Sequence, residues 1–138
     1  NVDTILTKMA RCCMPVPGDE IIGYISRGKG VTIHRKNCEK LSSCEFERLI
    51  ECDWKNNSNK NFTSSITIYS TEGSNVIAKL TKKINDEKIQ LTGLNIKENS
   101  QEMTIITIQV VVKDKNELEY LINKLKQLSF VKDISRTI

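Results

Sequence analysis

Hydrophobic and polar positions fall into two differently patterned halves, separated by a run with no apolar anchor. In the second half, Phe62–Ser70 alternates with period two and predicts a strand. Val76, Ile77, Leu80 and Ile84 then recur at helical spacing, with Ser74 or Asn75 placed to cap the helix. Ile89–Glu98 predicts a second strand, in which Gly93 marks a bulge or kink. Residues 98–101 form a hairpin turn, and Met103–Lys113 carries the strongest strand signal of the chain. Asp114 with Glu117 resembles a capping box in which Asp replaces Ser or Thr. It opens a helix with Leu118, Leu121, Ile122, Leu125 and Leu128 on one stripe, and Phe130–Arg136 predicts a last strand. The order βαββαβ is that of a ferredoxin-like split unit. Two helices cover one face of such a sheet. The other face, carrying Thr63, Ser65, Thr67 and Tyr69, must meet water, a partner or the first half.

The first half is shorter and richer in turn signals. Ile5, Leu6 and Met9 sit at helical spacing behind Asp3, although an extended lead-in to Cys12 fits equally. Pro15 and Pro17 forbid a helix after the Cys12-Cys13 pair, and Pro17-Gly18-Asp19 predicts a turn. Ile21–Ile25 and Val31–His34 predict a hairpin that carries His34 back towards the two thiols. Asn37 is placed to cap a short helical turn from Cys38 to about Leu41. Phe46–Trp54 predicts a third, half-buried strand with Phe46, Ile50, Cys52 and Trp54 on its apolar face. Lys55–Asn61 is polar throughout and reads as a linker. The predicted organisation is α+β: a small metal-binding β-hairpin module at 1–55, a linker at 56–61 and a βαββαβ domain at 62–138.

Composition changes this picture little. The net charge of +4 permits contact with RNA without demanding it, and no apolar run is long enough to span a membrane. The chain starts at Asn1 and reads as a piece of a longer protein. Its 5 cysteines, an odd number without a secretory-type leader, read as reduced thiols or metal ligands in a cytoplasmic setting.

Candidate chemistry concentrates between Cys12 and Cys38. Two adjacent thiols and the His34-x3-Cys38 step can close a four-ligand site, and three Cys with one His suit structural zinc. A module of about fifty residues buries little apolar surface and gains most from such a clamp. Structural zinc contributes an apparent ~10–16 kcal/mol in small finger peptides. Cys52 reads as a small core hydrophobe, whereas Cys44, in a polar loop, is the rival fourth ligand. No catalytic constellation is visible: the single His is best used as a ligand, and four protein ligands leave no open coordination position. Arg27-Gly28-Lys29-Gly30 lacks the spacing of a phosphate-cradling loop. Between Glu20 and Glu39 no acidic residue occurs, while Arg27, Lys29, Arg35 and Lys36 are basic. Such a cluster suits phosphate contacts, against the plainer reading of a solvated charged loop.

The string Cys12-Cys13-x-Pro15-x-Pro17-Gly18-Asp19-x-Ile21-x-Gly23-Tyr24-Ile25, followed by Arg27-Gly28-x-Gly30-Val31-x-Ile33-His34-Arg35 and Cys38, resembles the zinc-finger (intersubdomain) module of long RelA/SpoT-type (p)ppGpp synthetase/hydrolases. The second half is similar to the ACT domain that this family carries at its C-terminus, so the resemblance spans essentially the whole chain. It implies a non-catalytic regulatory region of a stringent-response enzyme, with catalysis in N-terminal domains. It further implies Zn2+ held by Cys12, Cys13, His34 and Cys38, and partners in the ribosome, its rRNA and uncharged tRNA. Self-pairing through the ACT domain is the family's usual cover for the open sheet face.

The alternative reading is an amino-acid-sensing, dimerising ACT module that restrains catalysis. Its ligand loop aligns with Glu72-Gly73-Ser74-Asn75, which lengthens the family's acid, lacks its Arg and puts Asn75 where a glycine is usual. RNA recognition motifs share the βαββαβ order, but Met103–Lys113 has no aromatic on which a base could stack.

Overall fold

A computed structural model describes residues 7–26, 28, 30–54, 61–71, 75–99 and 103–137. Two four-stranded sheets carry the chain. The first, in the order β1-β3-β2-β4, is built from β1 (Thr7–Met9), β2 (Ile21–Ser26), β3 (Gly30–Arg35) and β4 (Leu49–Glu51). The lead-in to Cys12 is therefore extended at Thr7–Met9, where it pairs in parallel with β3. β2 and β3 form the predicted antiparallel hairpin, in a register that sets His34 opposite Ile22. Ile21, Val31 and Ile33 form a small core beneath it, joined by Ile50, Cys52 and Trp54. Gly23 allows that packing: a Cβ there would sit 2.7 Å from Cys52 Sγ and 2.8 Å from Val31 Cγ1.

Two local expectations in this half fail. The third strand is only Leu49–Glu51. Phe46–Arg48 turns as a 3-10 segment, which leaves Phe46 83% exposed instead of facing the core. Asn37 does not cap a helix: a 3-10 segment runs over Glu39–Ser43 behind Cys38 with no side-chain cap. The Asn37 amide oxygen instead accepts from Arg35 Nε. Most of the predicted linker, residues 55–60, lies outside the described residues.

The second sheet runs β6-β7-β5-β8, with all three pairings antiparallel. Its strands are β5 (Phe62–Ser70), β6 (Gln90–Asn99), β7 (Thr104–Val112) and β8 (Val131–Arg136). The helices α1 (Val76–Asp86) and α2 (Lys115–Lys126) complete the predicted βαββαβ order. Ile66 and Ile68 of β5, and Ile106, Ile108, Val110 and Val112 of β7, point to one face. There they meet Val76, Leu80 and Ile84 of α1 and Leu118, Leu121 and Leu125 of α2, all buried. On the opposite face Thr63 is exposed, Thr67 and Tyr69 are half-buried, and Ser65 is buried. Gly93 lies at a register shift between Leu91 and Gly93 opposite β7, the bulge expected there. Asp114 caps α2 by accepting from Glu117 N–H at 2.8 Å, while the Glu117 carboxylate reaches back to Lys113 N–H at 2.9 Å. That return bond goes one residue further back than in the standard capping box.

The two halves do not merely adjoin. Val16, from the loop after the thiols, is fully buried in the core of the second half. Lys115 N–H, at the start of α2, donates to Pro17 C=O at 2.7 Å. Arg136 at the end of β8 pairs with Asp19 and donates to Met14 C=O. Trp54 links the same junction, donating from Nε1 to Asp19 C=O and packing edge-on against Phe62. Loop 14–19 is thus a structural part of both halves.

Candidate metal centre

Three local features converge on one point. After β1, residues 11–13 form a turn closed by Met14 N–H donating to Ala10 C=O, and Met14 takes a left-handed φ of 45°. This bend turns two adjacent cysteines, whose side chains would diverge on extended backbone, towards the same volume. The prolines that follow do not supply it. His34 arrives on β3, next to Arg35, whose backbone N–H donates to Cys13 Sγ at 3.3 Å. Cys38 is brought back by a turn in which its N–H donates to Arg35 C=O.

The ligand atoms of Cys12, Cys13, His34 and Cys38 lie within 4.8 Å of one another. Cys12 Sγ is 3.5 Å from both Cys38 Sγ and His34 Nδ1, and Cys13 Sγ is 3.8 Å from His34 Nδ1. A tetrahedron with metal–sulfur bonds of about 2.3 Å and metal–nitrogen bonds of about 2.0 Å has edges of about 3.8 Å for S···S and about 3.5 Å for S···N. The observed separations fit it, so the cluster can hold a metal ion.

Burial acts in opposite directions on the two kinds of donor. It pushes the Cys13 thiol up to about 12, the strongest opposing influence being the Arg35 backbone N–H, and it raises Cys12 as well, with Cys38 adding to the rise. Burial lowers His34, which keeps the imidazole neutral near pH 7. A divalent cation among these groups would reverse the logic for the thiols and favour thiolates. Three thiolates and a neutral imidazole around a divalent cation carry a net negative charge, and Arg35 stands beside it, donating from Nη1 to Cys13 C=O.

The chain matches the family model described as the RelA/SpoT RIS domain over residues 1–55 and the model of the ACT domain over residues 58–136. The chain belongs to the RelA/SpoT family. It is 31% identical over 139 residues to a GTP pyrophosphokinase of Photobacterium angustum, covering 98% of this chain and 18% of that protein. To the bifunctional (p)ppGpp synthase/hydrolase RelA of Mycobacterium tuberculosis it is 30% identical over 134 residues, covering 96% of this chain and 18% of the relative. The chain therefore spans about a fifth of the length of these relatives. A crystal structure of the ACT domain from the GTP pyrophosphokinase of Chlorobium tepidum overlays with a TM-score of 0.50 at 17% identity, covering 56% of this chain and 99% of that one. That likeness bears on the fold alone.

Within this RIS–ACT regulatory region the remaining candidate residues separate. Arg35, expected as a phosphate contact, is only 6% exposed. It is held against the Cys/His cluster and does not project from an open surface. Lys36 is exposed, and Arg27 and Lys29 lie outside the described residues. Cys52 packs in the small RIS core, as expected. Cys44 is half-buried, with its Sγ directed to Lys40 C=O, apart from the cluster. Of the expected ligand loop, Glu72, Gly73 and Ser74 lie outside the described residues. Asn75 precedes α1 with φ −102°, so it does not take the left-handed turn that a glycine would allow, and it makes no side-chain cap. Among the described residues no helix is long and apolar enough to cross a membrane. Sequence reasoning missed Asp19 and Arg136 as a pair; the one signal was Asp19 inside the quoted Pro17-Gly18-Asp19 string.

Proposed function

We propose that this RIS–ACT region is a non-catalytic relay in a (p)ppGpp synthetase/hydrolase, passing the state of the ribosome and its uncharged tRNA to catalytic domains elsewhere in the parent chain. One observation carries the reading. The loop that follows the two vicinal thiols is built into the ACT core through Val16, Pro17 and Asp19, so a load on the RIS module reaches the ACT domain through packed, hydrogen-bonded contacts. In this reading Zn2+ fixes the RIS end through Cys12, Cys13, His34 and Cys38. The exposed Lys36, with Arg27 and Lys29, meets rRNA phosphates in the cytoplasm.

Ribosome pelleting of the intact parent protein across a salt series tests it. Lys36→Ala combined with Arg27→Ala should weaken association and flatten its salt dependence. Unchanged association, with ribosome-stimulated (p)ppGpp synthesis intact, would overturn the relay. The open β5–β7 face, with Thr67, Tyr69 and Thr107 half-buried, supports self-association of the ACT domain. Amino-acid sensing is separable by calorimetry: saturable heat with a branched-chain amino acid, lost on changing Asn75, would favour it over the relay.

A further inference from the structure

We propose that the cleft between the RIS and ACT modules is a binding site for a small phosphorylated ligand. The cleft measures about 450 Å³. Arg35 at the end of β3 and Lys36 just after it form one wall. Lys115 at the start of α2 and Arg136 at the end of β8 form the other, with Asp19 and Glu20 between. Four cations against two carboxylates leave an excess of two positive charges in the lining.

The local carboxylates consume only one of those cations, Arg136. Both oxygens of Asp19 are taken by Arg136, and Oδ2 also accepts from Val16 N–H. Arg136 Nε nevertheless remains buried without a partner. Arg35 is buried, yet the oxygens its side chain reaches, Cys13 C=O and Asn37 Oδ1, are neutral and both at 3.4 Å. Among the described residues, no carboxylate lies within ion-pair distance of Arg35, Lys36 or Lys115.

A phosphate monoester matches this arrangement. Its dianion balances the excess charge, and its oxygens accept from guanidinium and ammonium donors converging from two sides. The volume is in the range of small-molecule sites. A walled cleft also suits a compact ligand better than a continuous nucleic-acid backbone, which needs an open track. Because the donors come from both modules, the ligand would clamp RIS to ACT. The site shares Lys36 with the relay reading, but Lys115 belongs to the cleft alone and occupancy is measured without ribosomes, so the two fail separately.

Calorimetry on the intact protein, at fixed ionic strength, would use inorganic phosphate and ribose 5-phosphate as probes. Saturable binding with one site per chain is expected. Tighter ribose 5-phosphate assigns an organic phosphate, and equal affinities assign free phosphate. Lys115→Ala and Lys36→Ala should each weaken binding about tenfold, the loss of one charge-assisted contact. Lys82→Ala, an exposed lysine of α1 paired with Asp86, should leave it unchanged. The proposal falls if neither probe saturates, or if Lys82→Ala weakens binding as much as Lys115→Ala. It also falls if a short RNA binds through Lys36 and Lys115 while both small phosphates stay silent.

Discussion

Asp19 and Arg136 lie 117 residues apart in the chain and form a two-bonded ion pair, Nη1 to Oδ1 at 2.7 Å and Nη2 to Oδ2 at 3.0 Å. The side chains are only 6% and 14% exposed respectively, so the pair sits where solvent screening is weak. It joins the RIS turn to the last ACT strand, and Arg136 adds a bond to Met14 C=O at 3.1 Å. Arg136→Ala strands a buried carboxylate and should cost about 3 kcal/mol in chemical denaturation. Arg136→Lys should recover little, because an ammonium cannot reproduce the fork.

The same pair predicts an acid dependence. Burial pushes the Asp19 carboxyl up. The Arg136 hydrogen bonds, the Val16 N–H and the charges of Arg136 and Arg35 outweigh that and hold it below its ordinary value of 3.8. A depressed folded-state value means that the Asp19 contribution is whole above the ordinary carboxylate range. It disappears as pH falls through the depressed value. Arg136→Ala should therefore lose stability at neutral pH and show a shallower further loss on acidification than the wild type. Parallel urea titrations between neutral and strongly acid pH check this; equal acid slopes would refute it.

Much of the ACT half was legible because its elements are long and periodic. The stripe of Leu118, Leu121 and Leu125 and the alternation through Ile106, Ile108 and Val110 each repeat a single burial rule several times. The RIS half repeats nothing. Phe46 looked like a strand residue by parity, but the chain turns in a 3-10 segment before pairing at Leu49. Arg35 looked like part of a basic surface because charge in sequence does not reveal burial. The four candidate ligands were readable from type and spacing, whereas the Met14 bend that lets adjacent thiols converge was not, since a left-handed φ at a non-glycine carries no sequence mark. Val16 was invisible for a further reason: one apolar residue between two prolines has no periodicity, and its burial depends on a domain that begins more than forty residues later.

Gly18 should tolerate no side chain. Its φ is +106°, and a Cβ would stand 2.8 Å from Lys115 Cβ. Gly18→Ala combines backbone strain with a clash against the first residue of α2, and should destabilise by about 2 kcal/mol. Relief of the clash by Lys115→Gly in the double variant, read by denaturant midpoint, would separate the steric part from the backbone part.

Val16→Ala should lower the stability of the ACT domain although the residue belongs to the RIS module. Removing two methyl groups from a fully buried position costs about 2 kcal/mol, through lost transfer energy and a residual cavity. Hydrogen exchange is the discriminating readout. Amides of β7 and α2 should lose protection along with those of β3, because Val16 packs in the core that β7 and α2 share. Loss confined to RIS amides would mean that the two modules open independently.

Cys13→Ser tests the metal centre most directly, because Cys13 is the most buried of the proposed donors, 1% exposed, and its sulfur also accepts the Arg35 backbone N–H. Elemental analysis of the wild type should give about one zinc per chain. Cys13→Ser should lose it, since a serine hydroxyl is a poor zinc ligand at neutral pH. Among the described residues the RIS module has only the small core of Ile21, Val31 and Ile33 beside the Cys/His cluster, so metal loss should unfold it at lower temperature than the ACT domain. A single melt would then become two. Chelation of the wild type should produce the same split, and added zinc should reverse it. Cys44→Ser is the control: its sulfur is directed to Lys40 C=O, away from the cluster, and zinc content should stay unchanged. Retention of zinc in Cys13→Ser, or its loss in Cys44→Ser, would reassign the fourth ligand.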